Sequence, residues 1–486
     1  MKNNFGWRRL VGSALAGLML TISVRAGDSL DVITHHSGAF NGRTIRYTAA
    51  VESMNVVNAG GQPGARVVSF AYWKEGGDGD AARPVIFAFN GGPISPSLYL
   101  HLGVMGPKRI AVPTQLDAPA SAYRLVDNGY CLLDVADLVF FDPASTGFSR
   151  VLPGVAAKDY FSVKADAQQT AAFIYGWLSR HGRLNSPVYI LGESYGTLRA
   201  VEAAAQLAEM AQPLRVNGVI LMGQAVNIVE YVQRRQNIMS YVVSLPTLAA
   251  IAWYHNRVDR QGSSLEQFMD QARQFAEQVY LPALFKGNQI ATSQRDAIAR
   301  SLQQFSGIPA AYYQQHQLRI TKQEFRRELL KDQSLLVGET DGRYTAAASQ
   351  SEDPAHRILI PFEGYFLDYL QHDLNYRSEE KYLIDSPVKG LDDWNWGASG
   401  PFSDWPYGER IAGLFKSNPS FRLFLANGYF DLQTTVAAAE LAARQASWPP
   451  ERTMLKAYPG GHMSYTIEDS ARRFTDDLRA FVTSKP

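Results

Sequence analysis

The pentapeptide Gly192-Glu193-Ser194-Tyr195-Gly196 stands directly between an apolar run, Pro187–Leu191, and a helix-forming stretch from about 196 to 211. A serine framed in this way sits on a sharp strand-to-helix turn. The backbone there passes so close to its neighbours that only glycine fits on either side, and the hydroxyl is lifted clear of the sheet. As a bare string the pattern is weak, because 39 glycines in 486 residues make chance matches easy. The strand before it and the helix after it give the motif its weight, and they require a sheet with helices packed on it.

The rest of the chain supplies such a sheet. Residues 66–73, 83–89, 137–141, 187–191 and 217–222 are short β-branched and aromatic runs, and 164–180 carries Ala167, Ala171, Ile174 and Leu178 on one helical face. Continuous apolar strands alternating with helices predict a mostly parallel sheet covered on both faces. From about 226 to 415 the pattern turns helical and rich in Gln, Arg and aromatics, and strands return at 421–426 and 453–458. The reading is therefore an α/β core in two parts, 27–225 and 416–486, interrupted by a helical cap insertion over 226–415.

Residues 1–26 read as a secretory signal. Lys2, Arg8 and Arg9 precede an apolar stretch, and Val24-Arg25-Ala26 places small side chains where a signal peptidase inspects them. Cleavage after Ala26 and export, to a periplasm or the extracellular space, are expected; the surroundings of Arg8-Arg9 fit twin-arginine export poorly. Lys+Arg 47 against Asp+Glu 46 leaves no basic excess for a phosphate backbone, so nucleic acid is not an expected partner. The single cysteine, Cys131, excludes an internal disulfide, and the nine histidines include no HExxH-type ligand spacing, so no metal is expected.

A serine hydroxyl becomes a useful nucleophile only when a base takes its proton and an acid orients that base. Asp431 follows the strand-like FRLFLANG, and His462 lies in Pro459-Gly460-Gly461-His462-Met463. Taken singly, these are an ordinary turn residue and a loop histidine. In the order Ser, Asp, His, each after a strand, they are expected to form a catalytic triad. Asn90-Gly91-Gly92-Pro93 ends another strand, where backbone N–H groups can approach an oxyanion together with the N–H of Tyr195.

Five stretches then bear a resemblance to the serine carboxypeptidases: FNGGPISPSLYLHLGVMGP (89–107), DLVFFDPASTGFSR (137–150), YILGESYGTLRA (189–200), LANGYFDLQ (425–433) and GGHM (460–463). They are collinear from about 85 to 465. The resemblance implies an α/β-hydrolase fold with a mainly helical cap, no cofactor, and stepwise removal of carboxy-terminal residues from peptide substrates. Carried across, Ser194 is the nucleophile, His462 the general base and acid, and Asp431 its orienter. Gly92 and Tyr195 supply the oxyanion N–H groups, and Asn90 and Glu193 bind the substrate's terminal carboxylate. An ionised Glu193 would repel that carboxylate, so Glu193 has to be protonated to donate.

Three departures stand out. Ala88 occupies the place of a family tryptophan, Val104 that of a second glutamate, and the disulfides of eukaryotic members are missing, which points to a bacterial source. Without the second acid, one cause of a raised Glu193 pKa is gone, and Lys108, Arg109 or Arg150 could supply charge to the carboxylate instead. The same triad would also serve an esterase, amidase or acyltransferase, while a catalytically silent binding protein is disfavoured by the complete set of Ser194, Asp431 and His462.

Overall fold

The structure is a computed structural model that describes residues 31–58, 61–76, 82–260, 262–384, 388, 391–397 and 405–484. The expected signal over residues 1–26 lies outside the described residues. The described residues form fourteen strands: β1 (Val32–Phe40), β2 (Arg43–Val57), β3 (Pro63–Lys74), β4 (Val85–Phe89), β5 (Lys108–Ala111), β6 (Arg124–Asp127), β7 (Asp137–Asp142), β8 (Arg150–Val151), β9 (Val188–Glu193), β10 (Val216–Met222), β11 (Leu335–Val337), β12 (Thr345–Ala347), β13 (Arg422–Gly428) and β14 (Thr453–Tyr458). Ten form one sheet in the order β1-β2-β3-β7-β4-β9-β10-β13-β14, with β8 pairing β3. From β7 to β14 every neighbouring pair is parallel, and β1, β2, β3 and β7 pair antiparallel.

The parallel strands β4, β7 and β9 are buried along their whole length, which is why they read as unbroken apolar runs rather than alternating ones. The long β1–β2 hairpin was not anticipated. Exposed and half-buried residues alternate along β1, and its His35, His36, Ser37 and Gly38 dilute the strand signal.

Helices cover both faces. Val163–Arg180 begins at Ser162, whose hydroxyl accepts from the Ala165 N–H, and it buries Ala167, Ala171, Ile174 and Leu178 as the spacing predicts. With Gly196–Glu209 and Tyr407–Ser417 it packs one face of the sheet; Ile360–His372 and Glu468–Thr483 pack the other. Residues 226–372 are mostly helical, with the small hairpin β11–β12 among them. These helices have an apolar core of their own, and Tyr429, Phe430, Leu432 and Val436 from the segment after β13 are part of it. Cys131 is buried, and burial pushes its thiol up to about 12.

Candidate active site

Ser194 lies between β9 and the helix Gly196–Glu209 with φ at 58°, the left-handed region that a side-chain-bearing residue occupies only when its surroundings force it. The turn is fixed on two sides. The Ser194 N–H donates to the Met222 carbonyl at 2.9 Å, and a Cβ on Gly192 would fall 2.0 Å from the Gly196 carbonyl oxygen. The first glycine of the motif is thus demanded by the closeness of the two chain segments.

β13 and β14 deliver the other two groups. His462 Nδ1 lies 2.7 Å from Asp431 Oδ2. A carboxylate only accepts, so Nδ1 carries the proton and Nε2 keeps its lone pair in the neutral ring. Nε2 is buried and has no hydrogen-bond partner among the described residues. Asp431 is itself held firmly: Oδ1 accepts from the N–H groups of Gln433 (2.8 Å) and Thr434 (3.1 Å), and Oδ2 also accepts from the Thr434 hydroxyl (2.5 Å). Thr434 is a positioning group that the motif reading missed. Burial acts to lower the His462 pKa, but the Asp431 carboxylate beside it more than offsets this and the net direction is upward.

Both triad loops are tied to one turn contributed by residues 339–342. The N–H of His462 donates to the Thr340 carbonyl at 2.6 Å, and that of Gly461 to Asp341 Oδ2 at 3.1 Å. On the other side Leu432 N–H donates to the Glu339 carbonyl (3.0 Å) and Gly342 N–H to the Phe430 carbonyl (2.9 Å). Asp353 fixes the turn from behind by accepting from the N–H groups of Glu339 and Thr340 and the Thr340 hydroxyl. Arg343 pairs with Asp341 and keeps its buried carboxylate compensated.

A cavity of about 210 Å³ opens above the serine. Asn90, Gly91, Gly92, Glu193, Ser194, Gln433 and His462 line its polar end, with Thr340 and Asp341 beside them; Tyr99, Ala355, Ile358, Leu359 and Met463 form an apolar wall. Five of the seven residues expected from sequence to act here therefore meet in a single space: Asn90, Gly92, Glu193, Ser194 and His462 all line it. Tyr195 and Asp431 are not on the lining. The Tyr195 side chain turns back under the sheet, donating to Asp166 at 2.9 Å, so only its backbone is placed beside the serine.

Glu193 is buried at the polar end, and burial pushes its carboxyl up to about 7 even though His462 and the hydrogen bonds from Tyr465 and Asn90 act the other way. The second acid missing at Val104 is therefore not needed for a raised value; Val104 is wholly buried among apolar side chains. The alternative charge donors do not reach the cavity. Lys108 pairs with Asp127 (2.6 Å), Arg109 with Glu468 (2.7 Å) and Arg150 with Glu380 (3.8 Å), and none of the three is on the lining. Side chains of opposite charge on neighbouring surface segments capture them first. Among the described residues no group of three or more His, Cys, Asp or Glu could hold a metal ion, and no helix is long and apolar enough to cross a membrane.

A serine on a strained strand-to-helix turn, with histidine and aspartate delivered by later strands of a mostly parallel sheet, defines a serine hydrolase of the α/β-hydrolase fold. The sequence pattern of the serine carboxypeptidases (peptidase S10) matches residues 66–372, and the chain belongs to that family. It is a serine-type carboxypeptidase by membership. The matched segment contains Asn90, Glu193 and Ser194 and ends before Asp431 and His462. Comparison with curated proteins finds no match. Among solved structures the chain is similar to Kex1(Δ)p, a prohormone-processing carboxypeptidase from Saccharomyces cerevisiae, with TM-score 0.53, 13% identity, and 90% of this chain and 91% of that one covered. A proline iminopeptidase from Mycobacterium smegmatis aligns with TM-score 0.39, 12% identity, and 89% and 97% of the two chains covered.

Proposed function

We propose that this carboxypeptidase is exported and that it releases carboxy-terminal amino acids from peptides through an acyl-enzyme on Ser194. The observation that carries the reading is that Ser194, the unpartnered Nε2 of His462, and the Asn90–Glu193 pair share one small cavity. The peptide's last carboxylate would lie against Asn90 and a protonated Glu193, which sets the final peptide carbonyl beside Ser194. His462 Nε2 takes the hydroxyl proton as Oγ attacks, and Asp431 stabilises the resulting imidazolium through Nδ1. The backbone N–H groups of Gly92 and Tyr195 receive the oxyanion. His462 then gives its proton to the departing amino group, and a water activated by the same nitrogen hydrolyses the ester.

Glu193 and His462 are electrostatically coupled: an ionised Glu193 helps to hold a proton on His462. A carboxylate arriving at Glu193 favours the opposite arrangement, with the proton on Glu193 and His462 neutral. That is the form in which Nε2 can accept from Ser194, so the correct substrate end selects the reactive protonation state.

The test is hydrolysis of an amino-blocked dipeptide with a free carboxyl end beside its carboxamide twin, from pH 4 to 9, with Ser194→Ala as the blank. The expected result is strong preference for the free acid. Its kcat/KM should decline as pH rises through about 7, because the raised Glu193 carboxyl loses its proton there. Equal rates for acid and carboxamide would move the activity to a general esterase or amidase, and full activity of Ser194→Ala would remove the nucleophile assignment.

A further inference from the structure

Glu193 Oε2 accepts a hydrogen bond of 2.7 Å from the hydroxyl of Tyr465, a residue three positions after His462 and 272 positions after Glu193. The tyrosine is buried at 2% exposure in the short turn Ser464–Thr466. Its ring abuts Gly103, where a Cβ would fall 2.3 Å from the ring carbon Cε2. The room left at Gly103 is therefore filled by an aromatic ring that brings one neutral donor to the carboxyl. Asn90 completes the cluster through hydrogen bonds with both Glu193 and Tyr465.

We propose that Tyr465 is a positioning residue for recognition of the substrate carboxylate: by donating to Oε2 it holds the Glu193 proton on Oε1, the oxygen left to donate to the peptide's end. The inference rests on the reading of Glu193 as the carboxylate-binding group. A carboxylic acid has one proton and two oxygens, and without a donor on one of them the proton is free to sit on either. A phenol is suited to the task because burial raises its own pKa well above the ordinary range, so it stays a donor wherever the enzyme works. The groups facing Glu193 are Tyr465 and Asn90 by hydrogen bond, and His462 and Asp431 by charge. Of these Tyr465 is the one that belongs neither to the Ser194, Asp431 and His462 set nor to the groups read as touching the substrate carboxylate.

The donor also favours the ionised form of Glu193, since a hydrogen bond to a carboxylate is stronger than one to a neutral acid. Tyr465→Phe should therefore shift the basic limb of the kcat/KM profile for a free-acid dipeptide upward, on the order of one pH unit. At pH 5 its KM for the free acid should rise several-fold with little change in kcat, and its rate on an ester without a free carboxylate should be unaffected. Replacing Tyr465 with 3-fluorotyrosine, a stronger donor of nearly the same shape, should move the limb the other way and keeps the test open even if the phenylalanine variant folds poorly. Glu193→Gln is measured alongside. If Glu193→Gln abolishes the free-acid preference while both Tyr465 replacements leave the limb in place, the Tyr465 proposal is overturned and the Glu193 reading survives. If Glu193→Gln leaves that preference intact, the Glu193 reading fails and the proposal fails with it.

Discussion

Ser194 holds a backbone conformation that costs on the order of 1–3 kcal/mol for a residue with a side chain, and the sheet around it has to supply that energy. The neighbouring acid illustrates the opposite economy. Asp431 is fully buried, yet each of its oxygens receives two hydrogen bonds, so nothing is left unsatisfied. Asp431→Asn would keep the two backbone bonds to Oδ1 but turn an amide N–H₂ toward His462 Nδ1. The ring would then flip its proton to Nε2, the nitrogen that must accept from Ser194. The expected result is a fall in kcat on the order of 10⁴ with an unfolding midpoint close to the parent's, measured by single-turnover kinetics and thermal unfolding. A rate near that of the parent would show that another group orients His462.

At the scale of elements, the parts legible in the sequence are those whose causes are local. GESYG announces its turn because both glycines and the flanking strand are contiguous, and β4, β7 and β9 show as apolar runs because each is buried on both faces. Asp431 and His462 could be found by their order after strands, although nothing local marks them. The Tyr465–Glu193 bond was invisible, since it joins distant segments through the room left at Gly103. The 339–342 turn was equally hidden, because its bonds are made by backbone groups that any residue carries. Beneath the elbow, Arg199 pairs with Asp166 at 2.7 Å with both side chains fully buried, and it also donates to the Asn90 carbonyl at 2.7 Å. One arginine thus connects the helix after the serine, the helix Val163–Arg180 and the NGGP loop. Arg199→Met should destabilise the protein by about 3–5 kcal/mol in urea unfolding, because it leaves a buried carboxylate without its charge partner. A loss below about 1 kcal/mol would mean that Tyr195 and Gln169, the other partners of Asp166, suffice to hold its charge.

For the whole molecule, buried acids set how stability follows pH. Burial pushes Asp142 up to about 6, although the Ser97 N–H and hydroxyl and the Tyr382 hydroxyl all donate to it. A carboxyl raised on folding binds its proton more tightly in the native state, so its contribution is greatest below its unfolded value and is lost as pH climbs to about 6. Asp142→Asn preserves an acceptor for Ser97 and removes the titration. Its stability relative to the parent should therefore improve steadily from pH 4 to pH 6 and level off above that, as read from urea midpoints. A difference that does not vary with pH would show that Asp142 does not change protonation on folding in this range.

The turn at 339–342 has a consequence for anyone wishing to re-engineer this enzyme. Its backbone is bonded to the segments carrying Asp431 and His462, so the positions of both side chains depend on residues that lie between β10 and β13 in the chain. Exchanging residues 226–415 as a block for a relative's segment would import a foreign stitch between two native loops. A chimera meant to change substrate preference alone would have to leave residues 338–353 with the recipient and place its junctions on either side of them.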